Sequence, residues 1–224
     1  MRLFVAITPP RAVLLEVRSA VDAVIRTGNG LGSNAKLRWT RPDTWHITLA
    51  FYGEVDGDKL DDLSERLGRV AARATPMELS LAGAGRFGPR VVWFGVQGQC
   101  DRLGRLAEAA GSAARRCHIR VEDRPYRPHL TLARVAGVPR GAGGTGGTGG
   151  TGTGTGGDDQ AGPVDLAPLV DRLKPFRSPG WLAGDIELFN VVEGVLDADG
   201  NEQPHTAVAS KRYERIAHWP LTGR

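Results

Sequence analysis

The sequence predicts an α+β fold of two pseudo-symmetric lobes of antiparallel sheet, flanked by helices, with a groove between the lobes. Three observations predict it. A ten-residue segment occurs twice, a short apolar strand pattern precedes each copy, and an amphipathic helical pattern separates each strand from the copy that follows it. The chain of 224 residues is long enough to bury a sizeable core. We therefore interpret residues 1–224 as a single domain.

The repeat aligns residues 41–50 with residues 124–133 without a gap. The first copy reads Arg-Pro-Asp-Thr-Trp-His-Ile-Thr-Leu-Ala, and the second reads Arg-Pro-Tyr-Arg-Pro-His-Leu-Thr-Leu-Ala. Residues 2–7 and 90–96, which precede the two copies, are apolar enough to predict short buried strands. Each half of the chain is therefore predicted to contain one strand–helix–strand unit.

Local signals predict the helices and the remaining strands. Pro9-Pro10 opens a helical pattern that ends near Ile25, and Asp101 is predicted to cap a second helix that ends near Arg116. The other predicted elements are a helix near residues 58–74, a strand near 78–82, and two strands over 185–195 and 206–216 joined by a turn at 197–201.

Residues 141–157 are almost entirely glycine and threonine. This composition offers too little apolar surface to offset the entropy lost on ordering, so we predict a flexible loop inserted in the domain. A glycine-rich phosphate-binding loop is usually followed by a helix and contains a lysine. This segment has no lysine and is followed by Asp158-Asp159, which argues against a phosphate-binding role.

Composition restricts the partners and the chemistry. The formal charge of +4 is compatible with an anionic partner but does not require one. The two cysteines, Cys100 and Cys117, form no CxxC pair and no metal-ligand spacing, so neither a disulfide framework nor a zinc site is predicted. No apolar run approaches the roughly 20 residues that span a bilayer, and no signal peptide is evident. We expect a cytoplasmic monomer without membrane association.

The chemistry is predicted to lie in the two His-x-Thr motifs, His46-Ile47-Thr48 and His129-Leu130-Thr131. Because side chains alternate across a strand, the histidine and the threonine of each motif share one face while the aliphatic residues occupy the other. If the two lobes pack with these polar faces together, both histidines meet in one groove. An imidazole with a pKa near 6.5 serves as acid or base at neutral pH. Threonine hydroxyls beside it suit displacement at a phosphorus atom, because they can hold the non-bridging oxygens.

These motifs resemble the defining signature of the 2H phosphoesterase superfamily. The segments around residues 2–7, 45–54 and 127–134 are similar to the RNA 2',3'-cyclic phosphodiesterase family, first described as bacterial 2'-5' RNA ligases. The resemblance implies a hydrolase without metal or cofactor that opens RNA 2',3'-cyclic phosphate ends to 2'-phosphomonoesters in an active-site groove, with ligation as a possible reverse reaction. It implies that His46 protonates the leaving 3'-oxygen, His129 activates water, and Thr48 and Thr131 bind the phosphate.

The resemblance also implies substrate-binding roles for Arg134 and Tyr213. Strict alternation directs Arg134 away from His129 unless the strand bends between them. Val191 and Val192 depart from the family pattern, in which a serine is usual in the penultimate strand, and they leave the substrate preference open.

Two alternatives remain at this stage. The same pocket could belong to a non-catalytic nucleotide-binding module, although intact histidine and threonine in both copies argue against it. A 2H enzyme that acts on a small cyclic-phosphate nucleotide is not excluded by the motifs. A serine hydrolase and a P-loop kinase are not indicated, because neither G-x-S-x-G nor G-x-x-x-x-G-K-[ST] occurs.

Overall fold

The structure is a computed structural model that describes residues 1–27, 36–122, 124–136, 164–195 and 209–223. Four α-helices are found in these ranges: α1 (Arg11–Thr27), α2 (Leu60–Arg73), α3 (Cys100–Arg116) and α4 (Ala167–Leu173). The strands in the same ranges are β1 (Arg2–Ile7), β2 (Leu37–Trp39), β3 (Ile47–Glu54), β4 (Met77–Phe87), β5 (Val91–Gly98), β6 (His129–Val135), β7 (Trp181–Ala183), β8 (Asp185–Val195) and β9 (Ala209–Pro220).

The strands form one sheet with an internal symmetry. Neighbouring strands follow the order β7-β4-β5-β6-β3-β1-β8-β9. In addition, β2 pairs with β6. The order has a pseudo-twofold centre between β6 and β3, since β5 and β6 in one half correspond to β1 and β3 in the other. All the pairings are antiparallel. The predicted α+β fold of two related antiparallel lobes is thereby confirmed, and the lobes share a continuous sheet.

The aliphatic residues of the two motifs lie on the core side of this sheet. Ile47 and Leu130 are fully buried, and they belong to the same apolar cluster as Val17 of α1, Leu67 of α2 and Leu103 of α3. The helices therefore cover one face of the sheet. The opposite face is left to the polar members of the motifs, as the alternation of strand side chains requires.

Several predicted boundaries need correction. Asp101 does not cap α3: the helix begins at Cys100, and Asp101 lies within its first turn without a side-chain capping bond. The strand predicted near residues 78–82 extends to Phe87, because its second half pairs with β5. The last strand continues to Pro220 along β8. The predicted turn at 197–201 and the predicted loop at 141–157 lie outside the described residues.

Two short elements of the second lobe have no counterpart in the sequence prediction. β7 pairs with the start of β4 and adds an edge strand to the sheet. α4 inserts Leu169, Val170 and Leu173 into the core. In the described part of the chain, no helix is long and apolar enough to cross a membrane.

Candidate active site

The two His-x-Thr motifs meet at the seam between the lobes. β3 pairs with β6 through Ile47 and Leu130, the central residues of the two motifs. In an antiparallel pair, this register places each histidine beside the threonine of the other motif. The seam therefore brings both histidines and both threonines to one patch of the sheet face opposite the helices.

A cavity of about 200 Å³ lies over this patch. All six residues predicted for the site line it: His46, Thr48, His129, Thr131, Arg134 and Tyr213. The other lining residues are Arg2, Phe4, Thr40, Thr44, Phe51 and Val191. None of these six is a functional residue predicted from the sequence, in which Val191 is only a departure from the family pattern.

Backbone carbonyls orient both imidazole rings in the same way. Nδ1 of His46 donates to the carbonyl oxygen of Thr44 at 2.7 Å, and Nδ1 of His129 donates to that of Arg127 at 2.6 Å. A neutral ring that donates from Nδ1 has an unprotonated Nε2. The same tautomer is thus set on both sides of the cavity, with Nε2 available for chemistry.

The environment of Nε2 differs between the two rings. Nε2 of His46 lies 3.0 Å from Oγ1 of Thr48, whose hydroxyl donates to the neutral ring. Within the described residues, Nε2 of His129 has no hydrogen-bond partner. His46 is the histidine whose reactive nitrogen is already engaged, whereas that of His129 is open to a ligand or water.

Aromatic rings surround His46. Its ring centroid lies 4.7 Å from Phe4 and 5.2 Å from Tyr213, with the Tyr213 ring edge-on at 82°. Phe4 in turn stacks on Phe189 with centroids 5.2 Å apart. The position of Tyr213 is therefore explained in part by packing against His46 and Phe4, besides any contact with a substrate.

Burial lowers the pKa of both histidines because it disfavours the charged ring. For His46 the pKa falls to about 4: loss of solvation is the main cause, the bond to the Thr44 carbonyl opposes it, and the positive charge of Arg134 adds to it. For His129 the pKa also lies below its ordinary value: loss of solvation is again the main cause, the bond to the Arg127 carbonyl opposes it, and the positive charge of Arg134 adds to it. Both rings are therefore largely neutral at neutral pH.

A bulge directs Arg134 into the cavity. Between β5 and β6, Trp93 pairs with Thr131 and Val92 with Ala133, so Leu132 is an additional residue on β6. The extra residue reverses the alternation after Thr131, and Arg134 consequently lines the same cavity as His129. Arg134 can lie near His129 only if the strand bends between them, and the bulge provides that bend.

The first lobe contains an equivalent bulge. Val5 pairs with Ala50 and Ala6 with Thr48, which leaves Leu49 as the additional residue on β3. Phe51 then faces the cavity, and the guanidinium of Arg2 lies 5.3 Å from the centre of its ring. Extending the sequence repeat by one position aligns Phe51 with Arg134, a signal that would have identified Phe51.

Other residues considered from the sequence lie elsewhere. Trp45 is buried in the core and donates from its indole nitrogen to Oγ1 of Thr40 at 2.8 Å, so it supports the floor of the site instead of facing a ligand. Neither His118 nor His218 lines the cavity. No group of three or more His, Cys, Asp or Glu side chains that could hold a metal occurs in the described residues.

The chain is similar to proteins of one phosphoesterase family. Residues 15–93 and 95–142 match the family described as "LigT like Phosphoesterase". The RNA 2',3'-cyclic phosphodiesterase of Geobacillus stearothermophilus is 36% identical over 120 residues, which make up 51% of this chain but only 38% of that protein. The Archaeoglobus fulgidus protein of the same name is 34% identical over 139 residues, 60% of this chain and 73% of the relative.

The fold is also found among solved structures. The crystal structure of Escherichia coli LigT complexed with ATP superposes with a TM-score of 0.64 at 24% sequence identity, covering 99% of this chain and 98% of LigT. At this level of identity the likeness is one of fold. It agrees with the two-lobed antiparallel sheet described above.

Proposed function

Because this chain belongs to the LigT-like phosphoesterase family, we propose that it hydrolyses RNA 2',3'-cyclic phosphate ends to 2'-phosphomonoesters. The observation that carries the proposal is the convergence of two His-x-Thr motifs on one cavity, with each Nδ1 donating to a carbonyl so that both Nε2 atoms are the reactive ones. In-line displacement at phosphorus needs a base on one side and an acid on the other. Two histidines supplied by opposite lobes meet this requirement.

His129 is the proposed base. Its Nε2 is unprotonated in the neutral ring and has no partner within the described residues, so a water molecule can occupy that position. As the water oxygen bonds to phosphorus, the proton passes to Nε2 of His129. The bond from Nδ1 to the Arg127 carbonyl, at 2.6 Å, then stabilises the imidazolium because that carbonyl accepts from a charged donor.

His46 is the proposed acid. In its protonated form Nε2 carries the proton that the departing 3'-oxygen takes up as the phosphorus–oxygen bond breaks. The phosphate remains on the 2'-oxygen, and the ring opens to a 3'-hydroxyl. Turnover leaves His46 neutral and His129 protonated, so a proton must move between them through solvent before the next cycle.

Hydroxyls and cations of the cavity wall are proposed to hold the phosphate. Thr48 and Thr131 lie beside the histidines and can donate to the non-bridging oxygens, on which negative charge grows as water attacks. Arg134 also lines the cavity, and a guanidinium matches two phosphate oxygens at once. All these groups come from one chain, so the proposed reaction needs no second subunit.

Phosphorus NMR of a nucleoside 2',3'-cyclic phosphate during turnover in excess EDTA tests the proposal. We expect conversion to the 2'-phosphate, identified against authentic 2'- and 3'-phosphates, at a rate that the chelator does not change. A 3'-phosphate product would mean that the ring enters the cavity in the opposite orientation. Activity that EDTA abolishes would contradict the metal-independent mechanism, and no turnover of any cyclic phosphate would refute the function.

A further inference from the structure

An aromatic surface lies beside the cavity on the second lobe. Phe87 of β4 and Trp93 of β5 form it, with Gly85 and Gly95 on the same stretch of sheet, and we call these four residues the aromatic shelf. Neither Phe87 nor Trp93 lines the cavity that holds the two histidines, and the proposed hydrolysis does not use them.

The shelf lies on the same face of the sheet as the two histidines. Trp93 pairs directly with Thr131, and directly paired residues of antiparallel strands project on the same side. The Phe87 ring meets the ring of His129 edge-on, with centroids 4.8 Å apart, and the Trp93 ring lies 6.4 Å from His129. A strand of RNA that leaves the cavity on the His129 side would therefore pass over Phe87 and Trp93.

Glycines leave room for the indole on this face of the sheet. A β-carbon at Gly85 would come within 2.3 Å of two atoms of the Trp93 ring, and one at Gly95 would lie 3.5 Å from a third. The indole thus occupies the space above Gly85 that a side chain would fill. Phe87 and Trp93 are only partly buried, and their rings lie 5.2 Å apart at an angle of 37°, so part of their apolar surface remains accessible next to the proposed base.

The surroundings of the shelf favour an anionic ligand. Residues 79–100 and 124–136, which supply the shelf and β6, contain no aspartate or glutamate. The same segments contain Arg124, which pairs with Glu122 at 3.7 Å, and four further arginines: Arg86, Arg90, Arg127 and Arg134. Arg127 is exposed and lies two residues before His129. A ligand that combines planar rings with phosphates fits this setting better than an apolar ligand does.

We propose that the aromatic shelf binds the base of the nucleotide that precedes the cyclic-phosphate end of the RNA. This inference depends on the proposed function, since it assigns the next position along the same substrate. Single-stranded bases stack on aromatic side chains with little sequence preference, because every base has a flat face. The protein is then a better enzyme for an RNA end than for a free cyclic mononucleotide.

The test compares three substrates: a cyclic mononucleotide, a dinucleotide ending in the same cyclic phosphate, and that dinucleotide with its first nucleotide abasic. Each is measured with the wild type, Trp93→Leu and Gly85→Ala. The second substitution keeps every other side chain and displaces the indole through the new β-carbon. Trp219→Leu is the matched control, because Trp219 also lies over a glycine, Gly68 of α2, where an added β-carbon would come within 3.2 Å of its ring.

We expect the wild type to prefer the dinucleotide over both other substrates by about tenfold in kcat/KM, the size of one stacking contact. Trp93→Leu and Gly85→Ala should remove this preference, and Trp219→Leu should retain it. Equal kcat/KM for mononucleotide and dinucleotide in the wild type would overturn the inference while leaving the proposed function intact. A loss of equal size on all three substrates would also overturn it, since the effect would then act through His129. Failure to hydrolyse any of the three would refute the proposed function and the inference with it.

Discussion

The two halves of the site carry the same motif in different surroundings. His46 packs against Phe4 and Tyr213, and its Nε2 accepts a hydrogen bond from the Thr48 hydroxyl. His129 has an edge-on contact with Phe87, and in the described residues its Nε2 has no partner. A repeated sequence has thus produced two imidazoles with the same tautomer and different accessibility. This difference supports the proposal that one reaction uses them in opposite roles.

The low pKa of His46 must be reconciled with its proposed role as acid. A free-protein pKa of about 4 leaves the ring mostly neutral at neutral pH. A bound phosphodiester carries one negative charge, which at about 4 Å and an effective dielectric constant of about 20 stabilises the imidazolium by roughly 4 kcal/mol. That equals a rise of about 3 pKa units. Substrate binding would therefore bring the pKa of His46 close to neutrality, where a general acid is most effective.

Removing either imidazole has the largest expected effect. We expect His46→Ala and His129→Ala each to lower kcat by on the order of 10²–10⁴, the usual contribution of a general acid or base. The double variant should lose little more than the worse single one, because the two groups act in one step. Steady-state kinetics, with circular dichroism to verify folding, would check this. His218→Ala, which removes an exposed histidine outside the cavity, is the control, and a fully active single variant would contradict the paired mechanism.

The positions after the two bulges make a second comparison, since Arg134 and Phe51 occupy equivalent places. Arg134→Gln should lower kcat/KM by about 10²-fold, because a bond between charged groups is lost from the phosphate. Phe51→Leu should cost less than tenfold, as it removes only part of an apolar contact. Arg134→Lys should recover part of the activity. If Phe51→Leu were the more damaging substitution, the phosphate would not lie on the Arg134 side of the cavity.

The two threonines should differ in a smaller way. Thr48→Val and Thr131→Val each remove a hydroxyl with little change in shape, and we expect about a tenfold loss in kcat for each. Thr48→Val should also alter the pH dependence, because Thr48 bonds to Nε2 of His46 at 3.0 Å, whereas Thr131 has no such bond to a histidine among the described residues. The serine variants, which keep the hydroxyls, are the controls. Identical pH profiles for both valine variants would indicate that the Thr48 bond does not affect His46.

The pH dependence separates the free protein from the complex. kcat/KM reports the pKa values of the free enzyme, where both histidines titrate below 6.5, so its optimum should lie on the acidic side of that value. kcat reports the complex, in which the phosphate anion raises both pKa values, so its optimum should lie at higher pH. Arg134→Gln removes a positive charge that lowers both pKa values and should move the kcat/KM optimum upward. Coincident optima for kcat and kcat/KM would contradict this account.

The sequence was sufficient to predict the lobes and the motifs because both depend on local periodicity. Alternation within His46-Ile47-Thr48 determines which side chains share a face, and the gapless repeat requires the second motif to behave in the same way. The bulges at Leu49 and Leu132 could not be predicted, since a bulge is a property of two paired strands and not of one segment. For that reason the sequence alone does not determine the orientation of Arg134, and Phe51 is identified only through its alignment with Arg134 when the repeat is extended by one position.

The elements missed by the prediction are short or depend on distant partners. β7 contains three residues, too few for a periodic pattern, and it is a strand because the start of β4 offers it an edge. The contacts of His46 with Phe4 and Tyr213 join β1, β3 and β9, which are far apart in the chain. Only the folded sheet brings them together, so the low pKa of His46 has no sequence signature.

The division of labour between His46 and His129 is the central claim, and a cyclic phosphate with sulfur in place of the bridging 3'-oxygen tests it most directly. A thiolate leaves without protonation, so this substrate no longer needs the acid but still needs the base. We predict that His46→Ala hydrolyses it at close to the wild-type rate, whereas His129→Ala remains slower by on the order of 10²–10⁴. If His129→Ala, and not His46→Ala, hydrolysed this substrate at close to the wild-type rate, the two roles would be reversed. If both variants remained slow, His46 would not be the group that protonates the leaving group.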